Sequence, residues 1–291
     1  MVPLRGFFPM NTAVPSAKKG YGPFLLAPLV VLLAACDLHV GNLGARVTDE
    51  WTHTYPLARG GEVRIENTNG KIDVEGVEDS TVEIRAERIA RGATEQAARD
   101  LLPRIVIKED VKPDRVSIVT ERISGVLIGV AFEVRYHVRA PKNAVVNVRN
   151  TNGEVALTGL TGAVVAQTTN GRVKGDGLTG GVDARTTNGS VQMDLSSAGS
   201  APIRLHTTNG AVTLTLPDAA KATLSASVTN GGISVGDFQN LDVSEKSRRH
   251  LEAKLNGGGT PIELETTNGG VRIRPRNSLA EAPPTDDRKD R

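Results

Sequence analysis

Residues 164–193, VVAQTTNGRVKGDGLTGGVDARTTNGSVQM, contain two copies of one pattern that recurs along the chain. In each copy, polar and apolar residues alternate, the tripeptide Thr-Asn-Gly follows, and the alternation then resumes. Alternation with a period of two predicts strands with one buried face, and Asn-Gly between two such runs predicts a turn. The tripeptide occurs seven times, and its asparagines are Asn69, Asn152, Asn170, Asn188, Asn209, Asn230 and Asn268.

The spacing of these asparagines is that of a stacked repeat. From Asn152 onward the steps are 18, 18, 21, 21 and 38 residues, and periods near 20 are typical of solenoids. Six and four residues before each Asn, and three and five after it, every residue but Gly175 is apolar. The long last step predicts one enlarged repeat with a charged excursion at 242–254, or two repeats of which one is degenerate.

Two all-β architectures satisfy the pattern. An antiparallel meander of hairpins is one, because Asn-Gly is a strong hairpin signal. A single-stranded parallel β-helix, or solenoid, is the other, and the recurring identity of the turn residues favours it. Asparagines in adjacent coils would lie about 4.8 Å apart, where their side chains can hydrogen-bond along a ladder. We therefore predict about seven Thr-Asn-Gly coils over residues 60–275, each stacked on the one before it.

Residues 77–140 interrupt the repeat. Segments 81–88, 115–121 and 126–140 alternate like strands, and 94–102 predicts a short helix with Thr94 as its N-cap. We expect this region to be a cap or insertion that covers the first coil, since exposed solenoid ends invite edge pairing. The polar segment 276–291 predicts a disordered tail.

The N-terminal segment predicts export. Arg5, Lys18 and Lys19 precede an uncharged apolar run at 24–35, which is typical of a secretory signal and too short to span a bilayer. The run ends in Leu-Ala-Ala35-Cys36, which resembles the lipobox of bacterial lipoproteins. The resemblance implies cleavage between Ala35 and Cys36 and a diacylglyceryl group on Cys36, the only cysteine. It also implies a signal peptide at 1–35 and a lipidated tether at 36–59, with either Met1 or Met10 as the start.

Charge and composition exclude several classes of partner. The whole chain carries a net charge of +2, but without the predicted signal 32 Lys and Arg stand against 33 Asp and Glu. No basic patch then remains to suggest a nucleic acid partner. Only 3% of the residues are aromatic, which argues against stacking platforms for sugars or single-stranded nucleic acid.

The sequence predicts neither a cofactor nor a metal site, and it predicts no enzyme. The five histidines, which are His39, His53, His137, His206 and His250, lack metal-ligand spacing. Residues 175–183 faintly resemble a calcium-binding nonapeptide, but the period here is 18. The best case for catalysis is the pair Asp176 and Asp194, which would face outward from adjacent coils about as far apart as the carboxylates of retaining glycosidases. Solubility explains the same pair, and we assign no catalytic residue.

A family resemblance adds to this interpretation. The runs YHVRAP (136–141), VNVRNTNG (146–153) and GLTG (159–162) resemble a bacterial putative-adhesin family of β-strand-repeat domains. The resemblance covers about residues 60–275. It implies a parallel β-helix similar to the pectate-lyase fold without its catalytic residues.

Together these patterns predict a non-catalytic, lipid-anchored protein of the cell envelope, on its periplasmic or extracellular face. Its β-helical domain would present a polar surface for adhesion or scaffolding, with a protein, a glycan or the envelope itself as partner. A polysaccharide-acting enzyme on the same fold is one alternative, and a periplasmic sensor or partner of an envelope membrane protein is another. The ligand, the membrane, the handedness of the solenoid and the oligomeric state stay open.

Overall fold

The computed structural model describes residues 44–123 and 128–276. The predicted signal peptide, Cys36 and all but the first residue of the predicted 276–291 tail lie outside the described residues. Seven strands precede the regular repeats. They are β1 (Ala45–Pro56), β2 (Glu62–Glu66), β3 (Ile72–Val77), β4 (Thr81–Gly92), β5 (Ile107–Lys112), β6 (Arg115–Thr120) and β7 (Val130–Pro141). Helix α1 (Glu95–Leu101) and a single 3-10 turn (Leu102–Arg104) lie between β4 and β5.

The remaining strands form the regular part of the repeat and the C-terminal end. They are β8 (Val145–Arg149), β9 (Val155–Thr158), β10 (Val164–Asn170), β11 (Val173–Leu178), β12 (Val182–Asn188), β13 (Val191–Leu195), β14 (Ile203–Asn209), β15 (Val212–Pro217), β16 (Ala222–Val235), β17 (Leu241–Lys246), β18 (His250–Leu255) and β19 (Thr260–Arg276).

Parallel pairing builds two stacks of strands. The first stack contains the strands before each Thr-Asn-Gly, in the spatial order β6–β2–β8–β10–β12–β14–β19–β16. The second contains the strands after it, in the order β7–β3–β9–β11–β13–β15–β19–β16. We call a first-stack strand and the second-stack strand that follows it a layer; β16 and β19 each supply both halves of one. This is the parallel, solenoid-like sheet predicted from the sequence, and the antiparallel meander is excluded.

The register places equivalent positions of the repeat on top of each other. Val164 pairs with Val146 on one side and with Val182 on the other, and Val182 pairs in turn with Ile203. Because a strand alternates its side chains, this register directs the same apolar rows inward in every layer. Those rows are almost fully buried and form one continuous aliphatic core. At Gly175, the one exception in the pattern, an added Cβ would lie 2.5 Å from Met193 Sδ and 2.7 Å from Leu178 Cδ1, so neighbouring side chains fill the space.

The layers do not follow chain order at either end. The layer formed by β2 and β3 has two neighbours. The β6–β7 layer lies on one side of it and the β8–β9 layer lies on the other. Likewise, β19 lies between the layer of β14 and β15 and the outer strand β16. The prediction that each repeat stacks on the one before it is therefore wrong for Asn230 and Asn268. Both strands carry the same alternation, so local pattern gave no means of ordering them.

Antiparallel strands extend both ends. At the N-terminal end, β4 pairs with β7 and β1 pairs with β4, while β5 pairs with β6. At the other end, β18 pairs with β16 and β17 pairs with β18. The excursion predicted at 242–254 is thus a hairpin on the outer strand. The helix predicted at 94–102 is confirmed, and the Thr94 hydroxyl accepts a hydrogen bond of 3.2 Å from the Ala97 amide.

The segment predicted as a tether, 36–59, contains an ordered strand. Strand β1 pairs with β4 over twelve residues, from Ala45 opposite Gly92 to Pro56 opposite Thr81. Its sequence, ARVTDEWTHTYP, is mostly polar, and Tyr55 is its only buried residue. A tether was therefore the wrong prediction for 45–56, because an edge strand with little apolar surface lacks the alternation signal.

Candidate functional site

The seven repeat asparagines lie in one row along the corner between the two stacks, and all but the half-buried Asn69 are exposed. In the spatial order 230, 268, 209, 188, 170, 152 and 69, the Nδ2 of every asparagine but the last donates to the Oδ1 of the asparagine in the next layer. The six bonds are Asn230 to Asn268 (2.9 Å), Asn268 to Asn209 (2.8 Å), Asn209 to Asn188 (2.9 Å), Asn188 to Asn170 (2.8 Å), Asn170 to Asn152 (2.8 Å) and Asn152 to Asn69 (2.7 Å). The row is therefore a continuous amide ladder, which fixes the spacing of the layers.

The glycine after each asparagine allows the layers to approach. At Gly189 the backbone φ is +156°, and an added Cβ would lie 1.9 Å from the Gly171 carbonyl oxygen. At Gly210 the corresponding distance, to the Gly189 oxygen, is 1.8 Å. No side chain fits at these distances, so glycine is required by the close packing of successive corners.

A second polar row, which was not predicted from the sequence, lies inside this corner. Two residues before the ladder asparagine, a buried threonine hydroxyl donates to the glycine carbonyl of the neighbouring layer. The bonds run from Thr168 to Gly153 (3.2 Å), Thr186 to Gly171 (2.9 Å), Thr207 to Gly189 (2.8 Å) and Thr266 to Gly210 (2.9 Å). In an earlier layer Asn150 donates its amide to the Gly70 carbonyl in the same way, at 2.8 Å. The paired threonines before each of these four asparagines were the available signal.

The outward face of the second stack carries a shallow groove of about 450 Å³. Four neighbouring layers supply its polar lining: Lys174 and Asp176, then Gln192 and Asp194, then Thr213 and Thr215, and finally Arg272 and Arg274. The register aligns Lys174, Gln192, Thr213 and Arg272 as direct neighbours across the layers. We call this surface the Arg272 groove.

The predicted carboxylate pair lies in this groove, but the two residues are not register partners. Asp176 pairs with Thr158 on one side, and Asp194 pairs with Thr215 on the other. Between β11 and β13 the register shifts after Gly175, so the direct stacking expected from the sequence does not occur. Desolvation, together with the negative charge of Asp176, nevertheless raises the pKa of Asp194.

Arg276 opposes that shift. Its Nε lies 3.4 Å from Asp194 Oδ1, and this positive charge lowers the pKa of Asp194. The same guanidinium donates from Nη1 to the Ser196 hydroxyl at 2.9 Å. Asp194 Oδ1 is buried and accepts no hydrogen bond from the described residues. Asp194 is therefore a half-buried carboxylate whose negative charge is opposed by Arg276.

A family model matches residues 106–274 of the chain, which is more than half of it, and its description is Toastrack DUF4097. The chain belongs to the Toastrack DUF4097 family. The matched region of this Toastrack protein begins immediately before β5 and extends through the Arg272 groove. The family is a domain of unknown function, and the match indicates no catalytic family.

Solved structures overlap this Toastrack protein only loosely. One is described as a "putative cell adhesion protein" from Clostridium sporogenes, with 12% identity, a TM-score of 0.39, and coverage of 78% of this chain and 100% of that one. Another is a "putative adhesin" from Bacteroides fragilis, with 12% identity, a TM-score of 0.28, and coverage of 78% and 97%. TM-scores this low do not establish a shared function. No curated protein matches the chain.

A larger groove of about 820 Å³ lies at the other end of the Toastrack ladder, beside Asn69 and Phe132. Its cations are already paired within the protein. Lys71 Nζ lies 2.7 Å from Asp73 and 3.6 Å from Glu154, and Arg91 Nη2 lies 3.8 Å from Glu133. This groove therefore offers less uncompensated charge to a ligand than the Arg272 groove does.

The histidines of the Toastrack domain make separate contacts. His53 lies 3.3 Å from Glu109, His206 lies 3.3 Å from Glu265, and His250 lies 3.6 Å from Glu252. Within residues 44–123 and 128–276, no group of three or more His, Cys, Asp or Glu could hold a metal ion. In the same ranges, no helix has both the length and the apolar character needed to cross a membrane.

Proposed function

We propose that this Toastrack protein is a non-catalytic, lipid-anchored protein of the cell envelope that uses its β-helical domain for adhesion or scaffolding. The observation that carries the proposal is the Arg272 groove. It is a polar surface on strands whose layers are joined by the continuous amide ladder. A rigid sheet presents its outward side chains at fixed spacings, about 4.8 Å from layer to layer. Such a surface can bind an extended partner without ordering its own loops, which lowers the entropic cost of binding.

Anchoring is supported by the N-terminal sequence. The lipobox-like Ala35-Cys36 ends nine residues before Ala45, where β1 begins. A fully extended chain of nine residues reaches at most about 30 Å. A diacylglyceryl group on Cys36, together with a further acyl chain on its amine, would hold the domain stably at the membrane.

Acyl-chain labelling with cell fractionation tests the anchoring. We expect label on the wild-type chain in the membrane fraction, none on a Cys36→Ala variant, and accumulation of uncleaved precursor after globomycin treatment. An unlabelled wild-type chain in the soluble fraction would contradict lipid anchoring. Adhesion is tested separately, by binding of the purified protein to envelope polymers.

A polysaccharide-acting enzyme is the second candidate function. It is favoured by one observation, the raised pKa of Asp194 beside a second carboxylate, since glycoside hydrolysis uses a protonated acid next to an ionised carboxylate. Incubation with acidic and neutral polysaccharides, followed by sizing of the products, tests it. Cleavage that is lost in Asp194→Asn would establish the enzymatic function. Polysaccharides of unchanged length would exclude it.

A further inference from the structure

Two arginines in the Arg272 groove have no acidic partner. Arg272 and Arg274 are exposed on β19, and no ion pair or side-chain hydrogen bond joins either of them to another residue within the described parts of the chain. On the first-stack half of the same strand, Glu263 pairs with Arg204 and Glu265 with His206. The two guanidinium groups therefore keep their donors available.

The geometry of the cations matches an extended anion. Arg272 and Arg274 are two residues apart and project from the same side of the sheet, about 6–7 Å from each other. Lys174 lies three layers away from Arg272, which corresponds to about 14 Å. Cations thus stand at both ends of a strip that runs across the strands.

Uncharged polar groups form the floor between these cations. Gln192, Thr213 and Thr215 are half-buried and face outward from the two intermediate layers. Their hydroxyl and amide groups can both donate and accept hydrogen bonds. A partner with many hydroxyl groups therefore fits this floor better than an apolar one.

The acidic residues of the groove do not cancel its positive charge. Arg276 lies against Asp194, which leaves Asp176 opposed to Lys174, Arg272 and Arg274. An anionic ligand is attracted to this arrangement, and guanidinium groups bind carboxylates through paired hydrogen bonds.

We propose that the Arg272 groove binds an acidic glycan, a sugar chain that carries carboxylate groups. Arg272 and Arg274 bind its carboxylates at one end of the strip and Lys174 binds them at the other, while Gln192 and the two threonines bind its hydroxyl groups. This inference rests on the proposed adhesive function and names the ligand class for it.

An acidic peptide fits the groove less well. Peptides commonly bind a sheet by adding a strand at its edge, whereas this groove lies on a face whose strands are paired on both sides. The backbone donors and acceptors of these strands already form hydrogen bonds with the neighbouring strands. The groove also lacks the alternating apolar pockets that would select peptide side chains.

Isothermal titration calorimetry of the full chain in detergent tests the proposal. The ligands are oligogalacturonate, a neutral dextran oligomer of similar length and an oligoglutamate. We expect saturable binding of oligogalacturonate that weakens as salt rises, and at least tenfold weaker binding by Arg272→Ala/Arg274→Ala. Lys174→Ala should give a smaller loss, and Asp176→Asn should bind more tightly because it removes a repelling charge.

Arg149→Ala is the matched control, because Arg149 is exposed on the outward face of the first stack. It should bind like the wild type, and thermal unfolding should show that every variant is folded. Equal binding by the double variant, equal binding of dextran, or tighter binding of oligoglutamate would overturn the inference. If the protein binds envelope polymers but the double variant does too, only the ligand site is wrong; if it binds none, the adhesive function fails as well.

Discussion

At the scale of single residues, the buried threonine row explains why two threonines precede the ladder asparagine in four of the repeats. Thr186 is 3% exposed and donates to the Gly171 carbonyl, whereas Thr187 is exposed. We expect Thr186→Val to lower the free energy of unfolding by about 1–2 kcal/mol, because a buried hydrogen bond is lost at nearly constant volume. Thr187→Val should change it by less than about 0.5 kcal/mol. Chemical denaturation of both variants makes the comparison, and equal losses would contradict the assigned roles.

Glycine at the corner is a second requirement at this scale. Gly189→Ala should destabilise the protein by about 3 kcal/mol, because the new Cβ would collide with the Gly171 carbonyl oxygen. Gly232→Ala is the control, since an added Cβ there lies 3.9 Å from its nearest neighbours. Thermal unfolding of the two variants should separate them widely, and similar melting temperatures would show that the corners are looser than described.

Asp194 gives a third residue-scale prediction. Its carboxyl pKa should lie above the ordinary 3.8, and it should rise further in Arg276→Ala and fall in Asp176→Asn. A group with a raised pKa in the folded state contributes stability that is present below its unfolded pKa and is lost as the pH rises through its folded pKa. NMR titration of the carboxyl carbon measures all three values, and a shift of opposite sign in either variant would contradict the electrostatic description.

At the scale of elements, the position of β19 inside the stack is the feature least visible in the sequence. Ile273 on β19 is fully buried, while Ile233 on β16 is only partly buried. Stacking in chain order would have placed β16, and with it Ile233, inside the stack and β19 at its end. Ile273→Ala should cost about 2–5 kcal/mol, as in other cores, and Ile233→Ala should cost clearly less. Denaturation curves test this order, and stacking in sequence order would reverse it.

What the sequence could predict at this scale followed from the range of the interactions. The alternation around each Asn-Gly reports which face of a strand is buried, so the apolar rows could be predicted. The recurring identity of the turn residues favoured the parallel register. The order of β16 and β19 depends on long-range pairing between strands of equal pattern, and β1 presents few apolar residues. Only part of the Arg272 groove could be predicted from the sequence. Asp176 and Asp194 were identified because they occupy the same outward position in adjacent repeats. Arg272 and Arg274 reach the groove only through the insertion of β19.

At the scale of the whole molecule, the described residues form a scaffold in which every layer is bonded to the next along the corner. The ladder and the threonine row fix the spacing of the layers, and the aliphatic rows fill the space between the two stacks. Substitutions of the outward side chains are therefore expected to cost the fold little. This separation explains how the second-stack half of β19 can carry unpaired cations while its first-stack half pairs its charges.

In the proposed function, the Arg272 groove binds an acidic glycan without cleaving it. The most direct measurement is to saturate the full chain with oligogalacturonate, recover the bound sugar and determine its length by mass spectrometry. We expect saturable binding that depends on Arg272 and Arg274, with the oligomer recovered at its original length. A shortened oligomer, or binding that is unchanged in Arg272→Ala/Arg274→Ala, would contradict it.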